Sequence, residues 1–107
     1  MLVLTRREGQ WIYIGDEIKV SITKVSGRKV RIGISAPPNV TVLRGELTDF
    51  PAARKGGDGM LVLGRGENQT IKVGNEITIT VIKVSGHTVR LGFEAPKDVH
   101  IQRGTGA

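Results

Sequence analysis

Residues 1–15 read MLVLTRREGQWIYIG, and residues 60–74 read MLVLGRGENQTIKVG. The likeness runs on: residues 1–48 align with 60–107 without a gap, about half of the pairs are identical, and many others exchange Ile for Val or Leu, or Ser for Thr. A chain of 107 residues built this way is organised as a first unit (1–48), a linker (49–59) and a second unit (60–107). The stretch LTDFPAARKGGDG between the copies loses the apolar alternation found on either side and reads as a tether. One short helical turn is expected around Glu46–Phe50, stopped by Pro51. A unit of this size is too small to bury a sufficient core by itself when no staple is present. The two units are therefore expected to share one core.

Within each unit the periodicity is that of strands. Ile18, Val20 and Ile22 alternate with polar residues, and so do Val30, Ile32 and Ile34. The Ser26-Gly27 pair between these runs marks a tight hairpin. The second unit repeats the pattern with Ile77, Ile79 and Val81, then Ser85-Gly86, then Val89, Leu91 and Phe93. Val25 and Val84 fall out of phase with the runs before them, as a β-bulge in each third strand would require. Gly15 and Gly74 mark an earlier turn. The segments APP and APK break the chain before a last strand at Val40–Arg44 or Val99–Arg103. About five short strands per unit follow from the periodicity.

The formal charge is +6 at pH 7, which favours acidic partners and nucleic acid above all. There is no cysteine, hence no disulfide framework and no thiolate nucleophile or metal site. No apolar run is long enough to span a bilayer, no signal-peptide pattern is visible, and a cytoplasmic protein without membrane association is expected. His87 and His100 align with Arg28 and Thr41, so neither histidine is repeated, and no motif sets an acid or hydroxyl beside them. GRGEN matches neither phosphate-loop pattern. No enzyme, metal or cofactor is expected.

The segments MLVLTRREGQ, IGDEIKV and VRIG-x-x-AP, followed by V-x-V-x-R, fall in an order and spacing that resemble the carbon storage regulator family (CsrA/RsmA), small bacterial RNA-binding translational regulators. The resemblance covers residues 1–47 closely and 60–103 somewhat less closely. It implies an all-β protein in which two five-stranded units interlace as a covalent pseudo-dimer with mixed sheets and little helix. It further implies that the first strand of one unit lies beside the last strand of the other, and that each junction binds an RNA hairpin loop with a GGA core. Such binding in a messenger leader represses translation or alters message stability. Small regulatory RNAs with GGA motifs and a protein antagonist are the other partners it implies. The family's longer carboxy-terminal helix has no counterpart in this sequence.

Carried onto this chain, the first site combines Leu4, Thr5, Arg6 and Arg7 with Ile101, Gln102 and Arg103. The second combines Leu63, Gly64 and Arg65 with Val42, Leu43 and Arg44. Arg31, Arg90, Ala36 and Pro37 are expected at the flanks. Leu2, Leu4 and Arg6 share one strand face, as do Val40, Val42 and Arg44, so parallel neighbours would bring their arginines together at one rim. Guanidinium groups there can fork onto phosphates or base edges. Gly64 and Gly66 replace Thr5 and Arg7, which loosens that strand and removes a cation, and the first site is expected to bind more tightly. Trp11 and Tyr13 align with Thr70 and Lys72, so neither unit carries a matched stacking platform of the kind that many single-strand binders use. A swapped-hairpin DNA-binding regulator and a protein-interaction module are the alternative readings. A monomeric pseudo-dimer is favoured over two chains exchanging units.

Overall fold

A computed structural model describes residues 1–38, 40–44, 54–55 and 60–104. Eleven strands are present among them: β1 (Leu2–Arg7), β2 (Trp11–Ile14), β3 (Ile18–Ser26), β4 (Lys29–Ser35), β5 (Thr41–Arg44), β6 (Arg54–Lys55), β7 (Leu61–Gly66), β8 (Thr70–Val73), β9 (Ile77–Ser85), β10 (Thr88–Glu94) and β11 (Ile101–Gly104). No helix occurs among the described residues. The helical turn expected around Glu46–Phe50 lies outside them.

The strands form two sheets, ordered β1-β10-β9-β8-β5-β6 and β11-β2-β3-β4-β7. Each sheet takes a three-stranded meander from one unit and flanks it with the first and fifth strands of the other. The units are thus interlaced, and each sheet mixes strands from both. Every ladder is antiparallel. The expected side-by-side arrangement of first and last strands needs correcting. β1 pairs with β10 and β11 with β2, so β1 and β11 are edges of different sheets and share no ladder.

Alternation decides which residues meet between the sheets. Ile12, Ile14, Val20, Ile22, Val30, Ile32 and Ile34 from the first unit join Ile71, Val73, Ile79, Val81, Val89, Leu91 and Phe93 from the second in one buried cluster. Burying each such side chain contributes about 1.5–3 kcal/mol. Separating the two units would leave each meander without its flanking strands and half of its core.

The hairpin between β3 and β4 pairs Ser26 with Lys29, so its two loop residues are Gly27 and Arg28, one position later than the sequence suggests. Gly27 has φ of 62° and Gly86, in the matching turn, 61°. A glycine with positive φ at the first loop position suits the right-handed twist of a two-residue hairpin. The expected bulges are present: the β3–β4 register shifts between Ile22 and Lys24, and the β10–β9 register between Arg90 and Leu91. Glutamates that follow the first strands brace both bulged strands. Glu8 accepts the Val25 amide at 3.4 Å, and Glu67 accepts the Val84 amide at 2.8 Å.

The repeated methionines have a structural use. A Cβ on Gly33 would collide with the Met60 side chain, and one on Gly92 with Met1 and Ile82. The glycine of VRIG or VRLG in each unit thus leaves room for the methionine that opens the other. The tether also departs from its reading as plain linker. Arg54 and Lys55 form β6, which pairs with β5 at Val42 and Thr41.

Candidate nucleic-acid interface

The first candidate site lies where β1 and β11 begin. Met1 and Leu2 on one side and His100 and Ile101 on the other line a hollow of about 430 Å³, floored by Ala95, Pro96 and Lys97. Each strand keeps an unladdered edge, because β1 and β11 are the last strands of their sheets. Such edges present backbone N–H and C=O groups that can pair with an incoming ligand. A bond from the Gly15 amide to the His100 carbonyl, 2.6 Å, fixes the entry to β11. Ala95 and Pro96 flank this hollow, while Ala36 and Pro37 hold the equivalent place in the other unit, with Ala36 buried.

The arginines of the first strands do not stand at an open rim. Arg6 is 8% exposed and Arg65 5% exposed. The Nε of Arg6 donates to the Thr5 carbonyl at 2.9 Å. In Arg65, Nε donates to the Gly64 carbonyl at 2.8 Å and Nη1 to the Thr70 carbonyl at 3.3 Å. Their strand face is the inward one, where Leu4 is also buried. A buried guanidinium must satisfy its donors internally, and these backbone carbonyls take part of that role here. The fold uses these arginines whatever else they contact.

Outward-facing positions carry the accessible cations. In the first half, Thr5 lies opposite Arg90, and Arg7 opposite Thr88. In the second half, Gly64 lies opposite Arg31, and Gly66 opposite Lys29. The cation missing from β7 therefore reappears across the ladder, on β4. Sequence comparison strand by strand shows only the loss of Arg7, because the compensating Lys29 lies in the other unit. Arg31 and Arg90 are exposed, as their phase predicts.

Leu63 is half-buried and Val42 is buried. Leu43 and Arg44 are placed by backbone alone, opposite Lys72 and Ile71. Ile101 is half-buried and Gln102 exposed, opposite Ile14 and Tyr13, while Arg103 lies opposite Ile12 by backbone register. The structure thus brings Ile101 into one hollow with Leu2. It sets β5 against β8 on one side and against β6 on the other, a neighbour that the sequence did not reveal. Trp11 and Tyr13 lie beside β11, and the Lys19 ammonium sits 4.5 Å over the Trp11 ring. That cation covers one face of the indole.

No group of three or more His, Cys, Asp or Glu side chains capable of holding a metal occurs among the described residues. No described helix is long and apolar enough to cross a membrane.

Comparison with known proteins agrees with the doubled architecture. The family described as "CsrA: Global regulator protein family" matches residues 1–50 and again residues 60–105. A translational regulator CsrA of Thermosipho melanesiensis is 53% identical over 47 residues, covering 44% of this chain and 63% of that protein. The Thermotoga maritima protein of the same name is 53% identical over 47 residues, 44% of this chain and 57% of its own length. That of Oleidesulfovibrio alaskensis is 45% identical over 47 residues, covering 44% and 60%. The matched segment thus spans less than two thirds of each relative. No solved structure matches this chain.

Proposed function

Because the chain belongs to the CsrA global regulator family, with one family unit in each half, we propose that it is an RNA-binding post-transcriptional regulator. In this reading it binds GGA-containing hairpin loops in messenger leaders, and so represses translation or alters message stability. The observation that carries the proposal is the hollow lined by the first residues of β1 and β11, strands from opposite halves of the chain that each keep an open edge. Unpaired loop bases expose their hydrogen-bonding edges, and two strand edges offer complementary backbone groups. Exposed Lys97 lines this end and suits a phosphate.

The two sites are unequal in this reading. The second site's β5 edge carries β6 at Thr41 and Val42, and its β7 has glycines in place of Thr5 and Arg7. The first site is therefore the tighter one. Both interlaced sheets close within one chain, which supports a monomeric pseudo-dimer.

The test is titration of a GGA hairpin against Arg103→Ala and Arg44→Ala separately. Arg103→Ala, in the first site, is expected to remove most of the binding, and Arg44→Ala much less. Equal losses would sink the asymmetry. Preference for a duplex DNA competitor, or no binding of GGA RNA at low salt, would overturn the RNA reading. Light scattering at low concentration checks the monomer.

A further inference from the structure

The outer faces of the two sheets differ in a way that the hollow between β1 and β11 does not involve. Lys24, Ser26, Lys29, Val30, Arg31 and Gly64 line a hollow of about 250 Å³ over β3, β4 and β7. At the corresponding place in the other half, Thr5, Lys83, Ser85, Thr88 and Arg90 leave only about 50 Å³. Two exchanges make the difference. Glycine at 64, where the other copy has Thr5, removes a side chain, and a Cβ added there would meet nothing within 4 Å. Lysine at 29, where the other copy has Thr88, adds a third cation.

We infer that this hollow is a binding site for a phosphate group, peculiar to the β3–β4–β7 face, with Lys24, Lys29 and Arg31 around it and the bare backbone of Gly64 at its side. The register places the cations together: Lys24 lies opposite Arg31, and Arg31 opposite Gly64. Directly opposed like charges on neighbouring strands repel, and a bound dianion reverses the sign of that interaction. No acidic side chain lines the hollow. Arg31 offers planar donors that fork onto two phosphate oxygens, while the lysines act as point charges. A single exposed lysine binds anions weakly; three converging on a hollow have a combined field and a place for the ligand to sit. The phosphate can come from a free phosphorylated compound or from the backbone of a single-stranded RNA crossing this face.

The probe is inorganic pyrophosphate, titrated into the intact chain and followed through backbone amide resonances. Saturable shifts are expected at Lys24, Lys29, Arg31 and Gly64, without matching shifts at Thr5, Thr88 and Arg90. Lys29→Thr and Gly64→Thr, which copy the other half, are each expected to weaken binding about tenfold, a loss of about 1.4 kcal/mol. Lys83→Thr removes one charge from the opposite face and is expected to change affinity less than twofold. Hexauridylate, which lacks GGA, forms the second arm. Displacement of pyrophosphate by it assigns the site to RNA backbone, and failure to displace assigns it to a free phosphorylated compound.

Equal shifts on both faces, equal loss in Lys83→Thr, or unchanged affinity in Lys29→Thr and Gly64→Thr would overturn the site in favour of general attraction to a basic protein. The pyrophosphate arm contains no GGA hairpin, so its failure and failure of the RNA-loop reading are separate results.

Discussion

Arg65 is the residue whose replacement most sharply separates a structural from a ligand-binding role. Arg65→Met keeps an apolar stem of similar length and removes the donors that meet the Gly64 carbonyl at 2.8 Å and the Thr70 carbonyl at 3.3 Å. A hydrogen bond from a charged donor contributes about 1.5–3 kcal/mol net. The longer of these two belongs at or below the weak end, so the loss comes to about 2–4 kcal/mol. Domains of this size are stable by about 5–15 kcal/mol, which makes the loss a substantial fraction. With a urea m-value of about 2 kcal/mol/M, the middle of the usual range, the midpoint should fall by about 1–2 M. Equilibrium unfolding followed by the fluorescence of Trp11, the sole tryptophan, measures it without RNA present. Arg65→Ala should fall further, since the stem also leaves a site only 5% exposed. A midpoint shift under about 0.3 M in Arg65→Met, against the m-values above, together with lost RNA binding would refute the reasoning. It would place the guanidinium on RNA rather than in the fold.

Phe93→Ala should cost about 3–5 kcal/mol, because Phe93 is 1% exposed in the core shared by both halves; a thermal melt within a degree or two of the parent would show that it does not anchor that core. Replacing both Arg54 and Lys55 with proline strips β6 of its amide donors. The number of hairpins bound per chain should then rise towards two in a calorimetric titration, and an unchanged stoichiometry would deny β6 a role at the second site. RNA affinity should fall on the order of tenfold between 50 and 200 mM salt if about three phosphates are neutralised. A flat salt response would exclude the exposed cations from binding.

The shared core was legible because the doubled pattern left each unit short of one, and the paired alternations at Val20/Ile22 and Val30/Ile32 marked the strands, whereas the interlacing came from the family resemblance. The bulges were legible from the phase of Val25 and Val84. The burial of Arg6 and Arg65 was not, because an arginine ending an apolar alternation reads the same whether its guanidinium meets solvent or carbonyls. The Lys29 compensation was hidden for a different reason. It lies across a ladder between residues 29 and 66, and aligning the copies compares residue 29 with 88 instead. β6 was invisible because two residues carry no periodicity.

The ladders joining β1 to β10 and β4 to β7 connect halves of the same polypeptide. Docking of those halves is therefore a unimolecular event, with an effective concentration on the order of millimolar for a short connection. Two separate subunits with the same contacts would come apart on sufficient dilution. For the monomer proposed above, the composite hollow between β1 and β11 would persist at any dilution, and its occupancy would depend on the ligand's abundance and not on the protein first finding a partner.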